Sequence, residues 1–370
     1  MLAARFIPRS PRQATFTSIA IILTLWFLTT HYRSSAVRSL RHSTFNDDGE
    51  SRHEIAARCK AHGFAPTAAA HEKRLYDLFL LSTELDWLEI RLNSLYDSVD
   101  YFVIVESDKT FTGLPKSLHL KDNWDKFAAF HSKIIYVVVE DTVVSRITWD
   151  HEDHFRDALL YQAVPQVAGT GKEPQIGDAL MVSDIDEVPR PETMRLLRYC
   201  DFPDRLTLRS HFYYYSYQFL HRGEQWAHPQ ATTYRGLDRT ISPTNLRNGD
   251  GGPGYRLLRP LVRWWQKADL FDAAWHCSSC FATVRAMQVK MSSFSHTVWN
   301  TEENRNPKAI IERVRNGLDL FNRTDQIYDK IEENADVPQY ILNNWQSYRY
   351  LLNRDDEDAA FSDVTEYLAG

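Results

Sequence analysis

The sequence predicts an α/β protein built on a mostly parallel, doubly wound sheet, with its ligand site at the carboxyl ends of the strands. Three observations carry this. Short apolar runs at 75–81, 101–105, 134–139 and 179–182 alternate with stretches of helical spacing. Each run ends in polar or acidic residues. One of them, Ala179-Leu180-Met181-Val182-Ser183-Asp184-Ile185-Asp186-Glu187-Val188-Pro189, passes from a buried strand directly into three carboxylates and stops at a proline.

The chain has 370 residues and is 43% hydrophobic, enough for one large domain or two smaller ones. Aromatics make up 13%, which suits rings stacking on sugars or bases beyond those a core consumes. The net charge is −6 and no dense basic run follows the first 60 residues, so no nucleic-acid partner is expected.

Taken in order, residues 1–13 read as a cytosolic tail containing Arg5, Arg9 and Arg12. Residues 14–32 are apolar and nearly long enough to span a bilayer as a helix, and their threonine and serine hydroxyls can bond to the helix backbone. Two readings compete, an uncleaved signal-anchor and a signal peptide cleaved near Ser34-Ser35-Ala36. The length of the run and Arg33 before the small residues favour the anchor, and both readings put the rest of the chain in a lumenal or extracellular space. Residues 33–72, poor in periodicity and closing on Ala65-Pro66-Thr67-Ala68-Ala69-Ala70, read as a stem.

A folded domain is expected over 73–353. Leu85, Leu88, Leu92 and Leu95 mark a helix after the first strand, and residues 154–164 mark another before the acidic strand. Residues 205–217 alternate as a strand does. Asn248-Gly249-Asp250-Gly251-Gly252-Pro253-Gly254, within 236–256, reads as a mobile loop that could cover a substrate. Residues 307–321 and 339–352 read as helices, and 354–370 as an acidic, surface-exposed tail.

The chain holds two Asp-x-Asp patterns. Asp356-Glu357-Asp358 lies in a run of charges with no strand before it and reads as a solvated face. Asp184-Ile185-Asp186 follows an apolar strand, where alternate side chains point the same way and can share one cation. Mg²⁺ and Mn²⁺ favour oxygen ligands and bind through one or two carboxylates plus substrate phosphates. A cation held on a nucleoside diphosphate offsets the charge that develops as a glycosidic bond breaks. Another carboxylate must accept the acceptor's proton, with Glu187, Asp153, Asp157, Asp238 and Asp250 as candidates. The strand-end residues Glu84, Asp86, Glu106, Ser107 and Asp184 are candidate donor-binding groups. A metal-dependent phosphodiesterase or nucleotidyltransferase would need a second acid or histidine cluster, and a catalytically silent glycan-binding protein is a further alternative.

Of the four cysteines, Cys59, Cys200, Cys277 and Cys280, the last two form a Cys-x-x-Cys compatible with a zinc half-site, a redox pair or a local disulfide. The sequon Asn322-Arg323-Thr324 is a candidate glycosylation site at Asn322.

Four segments together carry a resemblance. They are Ser183-Asp184-Ile185-Asp186-Glu187-Val188-Pro189, Val103-Ile104-Val105-Glu106-Ser107 with its Thr/Gly loop, Ala274-Trp275-His276-Cys277-Ser278-Ser279-Cys280-Phe281, and the stretch from Tyr340-Ile341-Leu342 to Tyr350-Leu351-Leu352. In this order they resemble motifs of glycosyltransferase family 17, over roughly residues 75–353. The resemblance implies a GT-A-like nucleotide-binding fold behind a single N-terminal transmembrane helix, in a type II protein of the Golgi membrane with a lumenal catalytic domain. It implies inverting transfer of N-acetylglucosamine from UDP-GlcNAc to a mannose-containing protein glycan, with a divalent cation, Mn²⁺ before Mg²⁺. A different sugar donor or acceptor on the same fold is the alternative. In this setting Asp184, Asp186 and a late histidine, His296, are the expected metal ligands, and Asp186 and Glu187 the expected catalytic acids with Asp153 or Asp157 as base. Trp275 and His276 are expected at the donor, and Cys277–Cys280 as a structural disulfide. Trp264-Trp265 and Tyr213-Tyr214-Tyr215 are expected in the core.

Overall fold

The computed structural model describes residues 11–34, 51–68, 72–252 and 259–368. The expected cytosolic tail through residue 10, residues 35–50 and 69–71 of the expected stem, residues 253–258 of the glycine-rich stretch and the last two residues lie outside the described residues.

Twelve strands form among the described residues: β1 Ala65–Pro66, β2 Leu75–Leu81, β3 Tyr101–Glu106, β4 Ile134–Val138, β5 Ala179–Ser183, β6 Glu187–Pro189, β7 Cys200–Asp201, β8 Arg205–Tyr214, β9 Ser216–His221, β10 Gln230–Thr233, β11 Lys267–Ser278 and β12 Tyr328–Lys330. β1 pairs with β7. The other ten form one sheet in the order β12-β9-β8-β10-β5-β2-β3-β4, with β11 beside β8 and β6 beside β11.

The parallel half matches the four apolar runs. β2 lies between β5 and β3, with Leu78 opposite both Val182 and Val103, and β3 pairs parallel with β4. Period-two alternation divides these strands between two cores. Phe79, Phe102, Ile104 and Met181 face the helix Leu85–Leu95, which contributes Trp87, Leu88 and Leu92. Leu78, Val103, Val105 and Val182 face the helix Thr148–Tyr161, which contributes Phe155, Leu159 and Leu160. Strands buried on both faces must be nearly continuously apolar, which is why these segments read clearly in the sequence.

The other half departs from the mostly parallel expectation. β10 is antiparallel to both β5 and β8, and β8–β9, β9–β12 and β6–β11 are antiparallel too, while β8 and β11 run parallel. The sheet is therefore mixed. The connection from β8 to β9 is a tight reversal at Tyr215 (φ 65°), too short for the crossover a parallel neighbour would need.

Three expectations at the ends change. A 24-residue helix, Pro11–Ser34, forms over the expected anchor, and Thr24 Oγ1 donates to the carbonyl of Ala20 at 2.7 Å. Among the described residues, however, no helix is long and apolar enough to cross a membrane. Its Phe27 ring stacks on Trp264 with centroids 4.0 Å apart. The expected stem is partly folded. Ser51 caps a helix, Arg52–Ala61, in a capping box with Glu54. That helix is tied to the domain by a Cys59–Cys200 disulfide and by β1 pairing with β7. The expected surface tail is anchored through Arg354, which is fully buried and donates to the carbonyls of Tyr215, Ala359 and Phe281, while Phe361 and Val364 enter a third core. The helices expected over 307–321 and 339–352 are shorter, Pro307–Arg315, Gln339–Asn343 and Arg349–Leu352.

Candidate active site

The chain leaves β2 on one side toward β3, and β5 adds on the other, which makes the carboxyl end of β2 a topological switch point. A cavity of about 570 Å³ opens there. Its floor is the turn between β5 and β6, where the amide of Glu187 donates to the carbonyl of Asp184 at 3.0 Å. Because the backbone turns, Asp184 and Asp186 are not the alternate residues of one extended strand. Asp184 is 42% exposed and faces two arginines, whereas the side chain of Asp186 is 14% exposed.

Arg91, on the helix after β2, holds this turn from beneath. It is fully buried and forks onto Asp77 through Nε and Nη2, both at 2.7 Å. Its Nη1 donates to the carbonyls of Glu187 at 2.8 Å, Asp184 at 3.2 Å and Ile185 at 3.3 Å. The planar guanidinium joins a buried strand carboxylate to the acidic turn, which a lysine could not do in the same way.

Above the turn, each acid is met by a cation or a donor. Arg247, at the end of the short helix Pro243–Arg247, reaches Asp184 Oδ2 at 2.8 Å and Glu187 Oε2 at 2.7 Å. Arg156 lies 3.3 Å from Asp184 Oδ1 and also pairs with Glu152. Glu187 further accepts from the indole N–H of Trp226 at 2.8 Å and from the amide of Asp184 at 2.9 Å. Burial alone would raise the pKa of Glu187, but the Arg247 guanidinium outweighs it and holds the carboxyl far below the usual range. Burial raises the pKa of Asp186, only partly offset by His276 and Lys290. Burial, helped by Arg247, pushes His228 down to about 4, so its ring is neutral near pH 7.

The other expected donor-binding residues divide. Glu84 lines the cavity, paired with Lys290 at 2.9 Å and accepting from the amide of Thr83. Glu106 and Ser107 also line it, but Glu106 is occupied with Lys116, the amide of Leu120 and the Tyr136 hydroxyl. Asp86 is exposed, accepts from the Tyr350 hydroxyl at 2.9 Å and does not line the cavity. Trp275 and His276 are neighbours on β11 and therefore point to opposite faces. His276 lines the cavity, stacked on Phe212 with centroids 4.9 Å apart and with Nε2 3.9 Å from Asp186. Trp275 turns away and donates its indole N–H to Asp336 at 2.9 Å.

Of the proposed proton acceptors, Asp153 and Asp157 do not line the cavity. Asp157 accepts from the amide of Thr244, and Asp153 lies 3.7 Å from Arg156. Each sits one residue past Glu152 or Arg156, and that step, over a quarter of a helical turn, rotates it off the face that carries them, both of which do line the cavity. Asp238 and Asp250 are exposed. His296 lines the cavity, but it is exposed, packs edge-on against Trp149 and does not join the acids: among the described residues no group of three or more histidines, cysteines or acids could hold a metal ion. Asp184 and Asp186 give two hard oxygen donors, which suits Mg²⁺ or Mn²⁺ when a diphosphate completes the set. Three cavity residues carry buried nitrogens with no hydrogen-bond partner among the described residues: Arg156 Nε, His228 Nδ1 and His276 Nδ1. Unpartnered buried nitrogens on residues that line a cavity fit a polar ligand or water there.

Cys277 and Cys280 are bonded to each other. Asn322 is exposed on a turn whose neighbours Phe321 and Arg323 line the cavity. Tyr213, Tyr214 and Tyr215 are buried, although Tyr214 also contributes to the cavity wall.

Sequence reasoning missed Arg91, Arg156, Arg247, Lys290 and Trp226. Only Arg156 had a local signal, its i,i+4 spacing from Glu152 on a helix. The rest come from segments distant in the chain.

The family profile described as Glycosyltransferase family 17 matches residues 21–241 and 263–355. Curated relatives include the β-1,4-mannosyl-glycoprotein 4-β-N-acetylglucosaminyltransferases of Rattus norvegicus and Homo sapiens. Each is 25% identical to this chain over 76% of its length, and the matches cover 54% and 55% of the relatives. The chain thus spans about half the length of the curated relatives it matches. Among solved structures, the inositol-1-phosphate CTP transferase from T. maritima aligns over 55% of this chain and 88% of its own at 10% identity, with a TM-score of 0.27, too low to carry an argument. The family match runs through the acidic turn, the Trp275-His276 strand and the Cys277–Cys280 disulfide, and on it this chain belongs to glycosyltransferase family 17.

Proposed function

We propose that this chain is a metal-dependent, inverting glycosyltransferase that moves N-acetylglucosamine from UDP-GlcNAc to a mannose-containing glycan of a glycoprotein. The observation that carries the reading is the acidic turn Asp184-Ile185-Asp186-Glu187, placed at the switch point of the sheet and opening into a cavity sized for a nucleotide sugar. The names of the relatives supply the sugar, the mannosyl acceptor and the β-linkage. A β-linked product from an α-linked UDP-sugar requires inversion.

Asp184 and Asp186 would hold a divalent cation, Mn²⁺ before Mg²⁺. When bound, the cation would offset charge on the leaving diphosphate. The protein's own groups do the rest. Arg91 fixes the turn, Glu187 is locked as an anion by Arg247 and Trp226, and Lys290 and Arg156 add positive charge at the cavity wall. His276, stacked on Phe212, supplies a flat wall beside Asp186 on which a sugar ring can pack. The two disulfides favour an oxidising secretory compartment of the Golgi type, and an exposed Asn322 sequon is compatible with it.

The test is substitution of Asp186 by Ala. Without its carboxylate, release of UDP from UDP-GlcNAc in the presence of a mannose-containing N-glycan should fall by about 10²–10³-fold, the scale of losing one preorganised electrostatic group. Unchanged turnover would contradict the assignment.

A further inference from the structure

Arg247 is placed so that it can change partners. The chain on either side of it is pinned: buried Arg205 donates to the carbonyls of Asn245 at 3.2 Å, Gly251 at 3.0 Å and Asp250. Gly251 has φ 64° and lies so close to Asn245 that a Cβ there would sit 2.7 Å from its Cγ. Held in this way, the loop commits the Arg247 side chain to the cavity, where it is 8% exposed.

The two acids it spans are unlike. Glu187 is 1% exposed and is also bonded by Trp226 and by the amide of Asp184, so it is a fixed anchor. Asp184 is 42% exposed and shared with Arg156, so it stays paired with a guanidinium if Arg247 leaves. A divalent cation arriving on Asp184 would repel a guanidinium bonded to the same carboxylate. A diphosphate arriving beside it offers oxygens that match the guanidinium fork. Arg156, His228 and His276, which also line the cavity, each carry a buried nitrogen with no hydrogen-bond partner among the described residues.

Building on the UDP-sugar reading, we propose that Arg247 is a ligand of the donor diphosphate, held on Asp184 until donor and divalent cation arrive together. Keeping its hold on Glu187, the guanidinium exchanges Asp184 for a phosphate oxygen. The cation alone then competes with an internal positive charge and binds weakly, while cation and nucleotide tighten one another. Thermodynamic linkage makes that coupling reciprocal.

The test compares the wild-type chain with Arg247→Gln and Arg247→Lys, measuring Mn²⁺ binding by electron paramagnetic resonance and UDP binding by calorimetry with and without Mn²⁺. In Arg247→Gln, Mn²⁺ alone should bind several-fold more tightly. The same variant should bind UDP with Mn²⁺ about 10- to 100-fold more weakly, the scale of a lost charge-assisted hydrogen bond. Arg247→Lys keeps the charge without the fork and should recover part of the UDP affinity. Wild-type Mn²⁺ and UDP affinities in Arg247→Gln would overturn the proposal. So would loss of all binding in both variants together with loss of the cooperative thermal transition, which would make Arg247 a structural strut. A wild-type chain that binds no UDP in either condition would instead overturn the transferase reading on which the proposal rests.

Discussion

Arg91 and Asp77 make a fully buried pair, and the other Arg91 donors go to the Ser183 hydroxyl and to the carbonyls of the acidic turn. A buried pair of this kind contributes little to stability as a pair, but removing one partner strands a charge. Arg91→Ala should lower unfolding stability by about 3–5 kcal/mol, read from denaturant midpoints. Asp77→Asn with Arg91→Met should recover much of that loss while leaving the turn unsupported and turnover low. At this scale the sequence was legible for the acids themselves. Asp184, Asp186 and Glu187 meet in one cavity because an apolar strand delivers them there. It was not legible for what neutralises them. Arg247 lies 60 residues from Glu187 at the end of a short helix, and Arg91 lies 96 residues before it. Asp153 and Asp157 were candidates by sequence, but the rotation of their helix gives the cavity their neighbours Glu152 and Arg156 instead.

β11 shows how one element serves two sides of the molecule. His276 faces the cavity, while Trp275 faces a polar network centred on Asp336, which also receives Arg190 at 2.6 Å and the Tyr213 hydroxyl at 3.1 Å. His211 bridges this network to Asp272 at the bulge of β11, with each ring nitrogen 2.7 Å from a carboxylate. Burial alone would lower the pKa of His211, but the carboxylates of Asp272 and Asp336 outweigh it and raise it above the ordinary 6.5. Stability from this pairing is therefore fully present below pH 6.5 and is lost as pH rises through the raised value. Denaturant midpoints of the wild-type chain should fall across that window, and His211→Gln should flatten the fall. A slope unchanged in the variant would remove His211 as its source. The Arg52–Ala61 helix is the second case. Without Cys59–Cys200, which closes a separation of 141 residues, stability should drop by about 2–5 kcal/mol, measured with both cysteines replaced by alanine. The parallel half of the sheet was readable because strands buried on both faces cannot hide their composition. In the antiparallel half the alternating stretch 205–217 was readable and contains β8, but its pairing partners and the folded stem were not, because strand pairing and disulfide partners are set by neighbours far along the chain.

Across the whole molecule, the cavity pairs negative with positive. Acids from the ends of β2, β3 and β5 meet Lys116, Arg156, Arg247 and Lys290, and aromatic rings form one wall. That balance suits a ligand that is itself a diphosphate with a cation, since each partner exchanges an internal contact for an external one. The sheet that builds the cavity is mixed, with its parallel half carrying the acids and its antiparallel half carrying His276 and Trp226 to meet them. The disulfide-tied Arg52–Ala61 helix and the buried Arg354 extend this fold beyond the boundaries that composition implies at either end. The most direct test of the central claim is an assay of UDP release from UDP-GlcNAc with a mannose-containing N-glycan acceptor and Mn²⁺, with the glycan product read by mass spectrometry. The account predicts Mn²⁺-dependent UDP release matched by addition of one N-acetylhexosamine to the glycan, both lost in Asp186→Ala. Absence of transfer by the folded wild-type chain, or equal transfer by Asp186→Ala, would contradict it.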